Sequence, residues 1–425
     1  MTQNRQAPPT LEETSQGLPR RVAIVHDWFD KPGGAERVLS ELIECFPDAE
    51  LFAIVDMLSD ADRSIIRDKA VRTSFIQKLP GARKHFRRYL ALMPLAIEQL
   101  DMSAYDLVIS SSWAVAKGVI TGPDQLHVAY VHTPIRYAWD QQHDYLRLEQ
   151  LDRGLRGAAA RLMLHWLRLW DIRTANNVDV WLANSANVAR RIRKTYGKQA
   201  EVLHPPVRME DFTRAADKSG YYFTCSRLVQ YKRIDLLIEA FLATPERDLL
   251  VAGDGPELGE LRKRAGQAPN IRFLGRRSDC ELRDLLGNAR AFIFAANEDF
   301  GIAPIEAQAC GTPVIAFGRG GALETVRGLG AERPTGCFFD EQTAASILEA
   351  IERFERMAVP IDPEDCRANA ARFRSELFRK RLREIVRRHW AGFDASAQRS
   401  TPPCSPAASG YRTGSAITRV PVSPP

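Results

Sequence analysis

The stretch Glu298-Asp-Phe-Gly-Ile-Ala-Pro-Ile-Glu306 decides the fold prediction, because it joins a strand signal to a helix signal. Residues 291–296, just before it, are short, apolar and aromatic, which is typical of a buried parallel strand. Pro304 suits the first turn of a helix, where the backbone needs no N–H donor. Residues 299–303 are therefore predicted to form a strand-to-helix loop.

The chemistry of that loop indicates a ligand that carries phosphates and hydroxyls. Gly301 allows a ligand to approach closely, and the first amides of the following helix point outward at the positive end of its dipole. Glu298 and Glu306 can each accept hydrogen bonds from vicinal hydroxyls, so one loop would hold both ends of a nucleotide sugar. The alternative is a solvated loop glutamate and a helix-start glutamate favoured by the dipole.

Length and composition predict a two-domain globular protein. The 425 residues exceed what one hydrophobic core usually supports, so two domains of roughly 200 residues each are expected. Seven cysteines occur without a C-x-x-C pair, which indicates a reducing compartment and no zinc site. No apolar signal segment and no run of about 18 apolar residues occurs, so we expect a cytoplasmic protein that neither is secreted nor spans a membrane.

The formal net charge is only +6, but positive residues cluster in two stretches, 71–100 and 153–173. Both stretches are predicted to form amphipathic helices with one basic face. Two interpretations stay open for each: a helix that packs on its own domain with a solvated basic face, or attachment to an anionic membrane surface. Nucleic acid is not a predicted partner, because no helix-turn-helix spacing, zinc finger or aromatic RNA-binding motif accompanies the charge.

Strand and helix signals alternate twice along the chain, which predicts an α/β protein with two doubly wound parallel sheets. The predicted strands are residues 21–27, 49–55, 106–110, 127–132, 180–184, 221–226, 248–252, 271–274, 291–296 and 313–317. The predicted helices are residues 34–46, 234–243, 257–265, 279–286, 304–309, 341–356 and 365–390.

Two prolines at 205 and 206 restrict the backbone between the halves, so the hinge is expected at residues 203–207. The expected organisation has five parts: a disordered N-terminal extension (1–19), a first doubly wound domain (20–205), a second doubly wound domain (206–375), a C-terminal helix (376–395), and a disordered tail rich in Ser, Pro and Gly (396–425).

Arg227 and Lys232 directly follow the predicted strand 221–226. Ligands of open α/β sheets bind beyond the carboxyl ends of the strands, so both cations would project into that crevice. A diphosphate is their natural partner, because two fixed cations stabilise the charge that grows as it leaves, without a metal. A structural salt bridge is the alternative for either residue.

Two further features lie at strand ends in the first half. Gly33 and Gly34 form a two-glycine turn after the first predicted strand, where exposed amides would face the same crevice. His132 ends the predicted strand 127–132, and a crevice-facing polar site competes there with a satisfied structural histidine. No histidine spacing suggests a metal, and no Ser-His-Asp arrangement is visible.

In these motifs the chain resembles the family 4 retaining glycosyltransferases of the GT-B fold, which has two Rossmann-like domains facing across a cleft. The resemblance covers residues 20–390 and is carried by Gly33-Gly34, His132, Ser226-Arg-Leu-x-x-x-Lys232, Gly253-Asp-Gly-Pro256 and Glu298-x-Phe-Gly-x-x-x-x-Glu306. The stretch Val131-His-Thr-Pro-Ile-Arg-Tyr-Ala-Trp-Asp140 is similar to a subgroup that includes O-antigen mannosyltransferases, often users of GDP-mannose.

The resemblance implies that residues 20–205 form a Rossmann-like acceptor domain and residues 206–375 a Rossmann-like nucleotide-sugar donor domain. It also implies that the helix 376–395 crosses back to the first domain.

The resemblance further implies a role for each matching residue. Arg227 and Lys232 would bind the donor diphosphate, and Glu306 the ribose hydroxyls. Glu298 and His132 are the implied catalytic residues at the donor sugar. The remaining donor contacts are implied for backbone groups of Gly34, Phe300, Gly301, Ile302 and Ala303. The family uses no metal or cofactor and retains the anomeric configuration, with the leaving phosphate accepting the acceptor's proton.

The implied function is transfer of a hexose, in its narrower form mannose from GDP-mannose, to a glycan or a polyprenyl-linked oligosaccharide. This would serve cell-surface polysaccharide or lipopolysaccharide synthesis, with the enzyme peripheral on the inner face of the cytoplasmic membrane. Two alternatives stay open: a nucleotide-sugar 2-epimerase on the same fold, and a non-catalytic glycan-binding or scaffold protein.

Overall fold

The computed structural model describes residues 18–213 and 218–400, and the strands in these ranges form two sheets. The first contains β1 (Val22–His26), β2 (Glu50–Ala53), β3 (Val71–Thr73), β4 (Leu107–Ser112), β5 (Leu126–Val131), β6 (Val180–Ala183) and β7 (Glu201–Val202). The second contains β8 (Tyr222–Cys225), β9 (Leu249–Ala252), β10 (Ile271–Gly275), β11 (Ala291–Phe294), β12 (Val314–Phe317) and β13 (Gly336–Phe339).

The strand orders are β3-β2-β1-β4-β5-β6-β7 and β10-β9-β8-β11-β12-β13, and the paired strands run parallel. Each order reverses beside its first strand, so each sheet is doubly wound. The predicted fold class is therefore confirmed. The central strands are buried along their length, which explains their continuous apolar sequences.

Helices cover both faces of the two sheets. In the first half they are α1 (Gly34–Cys45), α2 (Ala82–His85), α3 (Met93–Glu98), α4 (Gln142–Leu148), α5 (Gly154–Thr174) and α6 (Ala186–Tyr196). In the second half they are α7 (Ile234–Leu242), α8 (Leu258–Ala265), α9 (Asp279–Asn288), α10 (Ile302–Ala309), α11 (Ala322–Thr325), α12 (Ala344–Glu355), α13 (Pro363–Ala370) and α14 (Ser375–Ser400).

The prediction of one amphipathic helix over residues 71–100 is wrong. The segment begins with β3, whose Val71 pairs with Leu51 of β2, and continues through short helical turns to α2 and α3. Pro80 and Gly81 separate these turns, and Gly81 adopts a left-handed conformation with φ +69°. The second basic stretch, by contrast, forms the single helix α5.

The predicted helix 365–390 is likewise wrong as one element, because it breaks into α13 and α14. Arg374, at the break, has extended backbone angles and forms a parallel bridge with Val207. Beyond the break, α14 packs against α1 on the first sheet, where Phe378, Leu382 and Val386 join the hydrophobic core. Its backbone continues to Ser400, five residues into the stretch predicted to be disordered, and residues 1–17 and 401–425 lie outside the described ranges.

Candidate active site

Loops at the carboxyl ends of the two sheets meet between the domains. The loop after β1 leads into α1 at Gly34, and the loop after β11 leads into α10 at Ile302. A Cβ atom added to Gly34 would lie only 3.0 Å from Cδ1 of Ile302. Glycine at this position thus permits the backbone of one domain to approach the helix start of the other.

The loop between β11 and α10 has the strand-to-helix form that its sequence predicts. Gly301 has φ +85°, in the left-handed region, and α10 begins at Ile302, two residues before the predicted start at Pro304. The Gly321 N–H donates to the carbonyl of Glu298 (2.9 Å), and a Cβ on Gly321 would lie 2.2 Å from Cα of Phe300. This glycine-rich segment after β12 therefore supports the loop. It was not among the predicted site residues, although the run Gly318-Arg-Gly-Gly321 is visible in the sequence.

Lys232 and Glu298, from different strand ends of the second sheet, form an ion pair. Their side chains are 16% and 21% exposed. Burial alone would lower the pKa of Lys232, but the Glu298 carboxylate outweighs this effect, and the net shift raises the pKa. Lys232 is therefore a fixed positive charge at the carboxyl end of the sheet.

Arg227 differs from Lys232 in its surroundings. It follows β8 and is exposed, and within residues 18–213 and 218–400 its guanidinium makes no hydrogen bond or ion pair. A guanidinium held near a strand end without a protein carboxylate is available to a phosphate group.

Glu306 lies in α10, where its side chain is 13% exposed and pairs with Arg37 of α1. This ion pair crosses from the second domain to the first and joins residues 269 positions apart. Both carboxylates predicted to bind the donor, Glu298 and Glu306, therefore sit beside a cation. Arg37 was not among the predicted site residues, because nothing in the sequence indicates its partner.

His132 follows β5 and belongs to a chain of polar side chains. Its Nε2 lies 2.9 Å from Oγ of Ser111, which lies 3.1 Å from Nδ1 of His26. Nε2 of His26 is in turn 3.6 Å from a carboxylate oxygen of Glu36. Burial, and then the nearby His26, lower the pKa of His132 to about 3, so its imidazole is neutral at physiological pH.

A buried carboxylate orders the loop beside His132. Asp27, after β1, accepts hydrogen bonds from the backbone N–H groups of residues 113–116 at 2.6 to 2.9 Å. This holds the Trp113 ring edge-on to the His132 ring, with centroids 5.8 Å apart. The run Ser110-Ser111-Ser112 at the end of β4 is the sequence pattern that indicates polar partners for His132, but these serines were not among the predicted site residues.

The structure brings the predicted residues together in pairs: Gly34 with Ile302, and Lys232 with Glu298. His132 is connected to the Glu298 loop indirectly, because Arg136 lies four residues after His132 and its Nη1 is 3.6 Å from the Asp299 carboxylate. The site thus offers cations, hydroxyl-accepting carboxylates and helix-start amides along the facing ends of two parallel sheets.

Family models match both halves of the chain. Residues 32–211 match the model of glycosyltransferase family 4, and residues 208–373 match that of the glycosyl transferases group 1. Among solved structures, HepE of Anabaena in complex with UDP has a TM-score of 0.63 at 18% identity, over 86% of this chain and 99% of that one. Sucrose-phosphate synthase of Thermosynechococcus elongatus has a TM-score of 0.67 at 16% identity, over 88% and 100%.

Two curated relatives align at higher identity. A GDP-mannose-dependent monoacylated alpha-(1-6)-phosphatidylinositol monomannoside mannosyltransferase of Corynebacterium glutamicum is 36% identical in an alignment of 178 residues, with a coverage of 35% of this chain and 47% of that protein. The match therefore spans less than half of that relative. A D-inositol 3-phosphate glycosyltransferase of Corynebacterium urealyticum is 26% identical in an alignment of 330 residues, with a coverage of 69% of this chain and 74% of that protein.

The two facing Rossmann-like domains and the matches to solved structures define the GT-B fold. The matches to the two family models define the chain as a glycosyltransferase. The two family models lie end to end and together span residues 32–373. The chain belongs to glycosyltransferase family 4.

Proposed function

We propose that this protein transfers a hexose, with retention of configuration, from a nucleotide diphosphate sugar to a lipid-linked glycan acceptor. The observation that carries the proposal is the clustering of Lys232, Glu298, Glu306 and the α10 N-terminus at the facing ends of the two sheets. Cations suit the diphosphate, whereas carboxylates suit the hydroxyls of the sugar and the ribose.

In the proposed reaction the bond between the anomeric carbon and the diphosphate breaks, and the acceptor hydroxyl attacks from the same face. The leaving phosphate takes the acceptor's proton, so no carboxylate is needed as a nucleophile. Arg227 and Lys232 stabilise the negative charge that grows on the phosphate. His132, being neutral, contributes a hydrogen bond to the donor sugar and no charge, which leaves charge stabilisation to the two cations.

We place mannose from GDP-mannose first among donors and a polyprenyl-linked oligosaccharide first among acceptors. The choice of GDP-mannose as donor rests on the similarity of residues 131–140 to O-antigen mannosyltransferases. It also rests on the name of the Corynebacterium glutamicum relative, which is a GDP-mannose-dependent mannosyltransferase. UDP-sugars are the second donor class of this proposal, because the structurally similar HepE was solved in complex with UDP. In this proposal the enzyme works at the cytoplasmic face of the membrane, in cell-surface polysaccharide or lipopolysaccharide synthesis.

The proposal predicts that purified protein releases nucleoside diphosphate only when donor and acceptor are both present. A panel of GDP-mannose, UDP-glucose and related donors, each with and without extracted lipid-linked glycan, tests this with a coupled assay for GDP or UDP. Conversion of the donor to a 2-epimer without acceptor would contradict transfer. So would the absence of turnover with every donor and acceptor pair.

Helix α5 supports a membrane location for the acceptor domain. Leu155, Leu162, Trp166 and Leu169 are separated by seven, four and three residues, so they share one helix face, and they are 90%, 70%, 42% and 57% exposed. The opposite face is buried on the first domain through Ala160, Leu164, Leu167 and Trp170. In the described ranges, none of the helices combines the length and apolarity needed to cross a bilayer.

The charges around this apolar face favour an anionic bilayer as its partner. Arg156 and Arg161 are exposed on α5 itself. The neighbouring α3 exposes Leu95 and is tied to α5 through Glu98, which pairs with Arg173. The segment before α3 exposes Arg83, Lys84, Arg87, Arg88 and Leu92. Apolar side chains between cations are the composition that binds the interface of anionic lipids.

The helix is firmly held on its domain, which an anchoring surface requires. Lys117 and Asp171, both nearly inaccessible to solvent, form an ion pair at the last turns of α5. The Trp139 indole N–H and the Tyr196 hydroxyl donate to the same carboxylate at 2.8 and 2.9 Å. Because the buried charge is fully partnered, α5 would carry a bilayer contact without detaching.

Replacing Leu162 and Leu169 with glutamate is expected to weaken co-sedimentation with phosphatidylglycerol vesicles at low salt by about 10-fold or more, because each change removes an exposed apolar side chain that would enter the bilayer and adds repulsion from the anionic lipids. Val359→Glu, an equally conspicuous exposed apolar residue (75%) on the second domain, is the matched control. Equal binding by the double variant and the control would remove the membrane surface from the proposal.

A further inference from the structure

The first turn of α6, in the first domain, is held by two carboxylates of the second domain. Glu324 accepts hydrogen bonds from the backbone N–H groups of Ala186 (2.7 Å) and Asn187 (3.0 Å), and from Nε2 of His204 in the hinge (3.1 Å). Ser185 caps the same turn by accepting from the Val188 N–H. Donors that a helix start leaves unpaired are thus satisfied partly from its own domain and partly across the cleft.

Asp299 is the second carboxylate, and the hydrogen-bond and ion-pair partners of its side chain among the described residues all lie on the first domain. It accepts from Nδ2 of Asn187 at 2.9 Å, lies 2.9 Å from Nε of Arg191, and lies 3.6 Å from Nη1 of Arg136. Its side chain is only 11% exposed. A carboxylate this buried is stable only with such partners, so its position depends on the first domain being in place.

Two of the residues in this contact between the domains lie close in sequence to the proposed catalytic residues. Asp299 directly follows Glu298, the residue proposed to hold the donor sugar. Arg136 lies in the loop that follows His132, the residue proposed at the reacting face. One carboxylate therefore connects the loops that carry the two proposed catalytic residues, one from each domain.

We infer that Asp299 is a positioning residue that aligns the Glu298 loop with the His132 loop when the two domains close on the first turn of α6. It touches neither donor nor acceptor, and it acts on the Glu298 loop through its contacts with Arg191 and Arg136. The inference rests on the proposed function for its catalytic consequence. The domain contact itself does not depend on which sugar is transferred.

Asp299→Asn keeps the shape and one acceptor oxygen but removes the charge. We expect kcat for transfer to fall about 10- to 100-fold, the size of a lost charged hydrogen bond. The Kd for GDP or UDP should change less than about 2-fold, because Arg227, Lys232 and Glu306 are untouched. Asp284→Asn, on the exposed face of α9, is the matched control and should match the wild type.

A double-mutant cycle with Arg191→Met separates positioning from a general structural effect. If Asp299 acts through its contact with Arg191, the two losses in kcat should not add, since either change breaks the same interaction. Additive losses, an unchanged kcat in Asp299→Asn, or a nucleotide Kd that worsens in parallel with kcat would overturn the inference.

Small-angle scattering tests the domain contact without any substrate. Asp299→Asn/Glu324→Gln should have a larger radius of gyration than the wild type, because both carboxylates that hold α6 have lost their charge. An unchanged radius would overturn the inference. Since scattering requires no turnover, its result distinguishes failure of this inference from failure of the proposed activity.

Discussion

Replacing Lys232 with alanine is expected to lower kcat/KM for sugar transfer about 100- to 1,000-fold, the usual loss when one fixed group that stabilises developing charge is removed. Lys232 is a largely buried cation whose pKa is raised, so in the proposed reaction it would present a permanent charge to the leaving diphosphate. The measurement is steady-state release of nucleoside diphosphate with saturating acceptor. Lys263→Ala, an exposed lysine of α8, is the matched control and should retain wild-type activity.

The Lys232→Ala variant is also expected to lose folding stability, because removing Lys232 leaves the partly buried Glu298 carboxylate without its partner. Thermal denaturation of Lys232→Ala, and of Lys232→Met/Glu298→Gln, measures that cost separately. A rate loss far larger than the loss of folded protein supports a role at the phosphate. If the rate falls only as far as the folded fraction falls, Lys232 is a structural residue.

The second large effect is expected on donor affinity. Glu306→Ala should raise the Kd for GDP or UDP about 10- to 100-fold, because in the proposed site this largely buried carboxylate would accept charged hydrogen bonds from the ribose hydroxyls. Titration calorimetry gives the Kd directly. The change also releases Arg37 from its partner in α10, so Arg37→Ala is measured beside it.

The ribose itself supplies the control for Glu306. A 2′,3′-dideoxynucleoside diphosphate lacks the hydroxyls in question, so it should bind the wild type and Glu306→Ala with similar, weak affinity. If the variant weakens the dideoxy ligand as much as the natural one, Glu306 acts on the fold or on Arg37 and not on the ribose.

Much of the fold was predictable because buried parallel strands have strong local signals. Residues 291–296 and 221–226 are short apolar runs with polar residues after them, and both contain a strand of the second sheet. The edge strands β3, β7 and β13 were not predicted. Val71–Thr73 has three residues and Glu201–Val202 has two, and such short edges are fixed by pairing with a neighbour rather than by their own sequence.

For the candidate site, the sequence could predict which residues follow strands but not which side chains pair with each other. Lys232 and Glu298 follow strands, so the topology alone sends both toward the cleft. Their pairing, and the pairing of Arg37 with Glu306, depend on how the domains meet, which no local pattern encodes. Asp299 shows the same limit, since in the sequence it is only the residue after Glu298.

The most direct test is a crystal structure of the protein with GDP or UDP bound. We expect the diphosphate to lie beside Arg227, Lys232 and the N-terminus of α10. We also expect the ribose hydroxyls to donate to the Glu306 carboxylate, with Arg37 displaced from it. A nucleotide bound elsewhere, with the pairs Lys232–Glu298 and Arg37–Glu306 unchanged, would contradict this expectation.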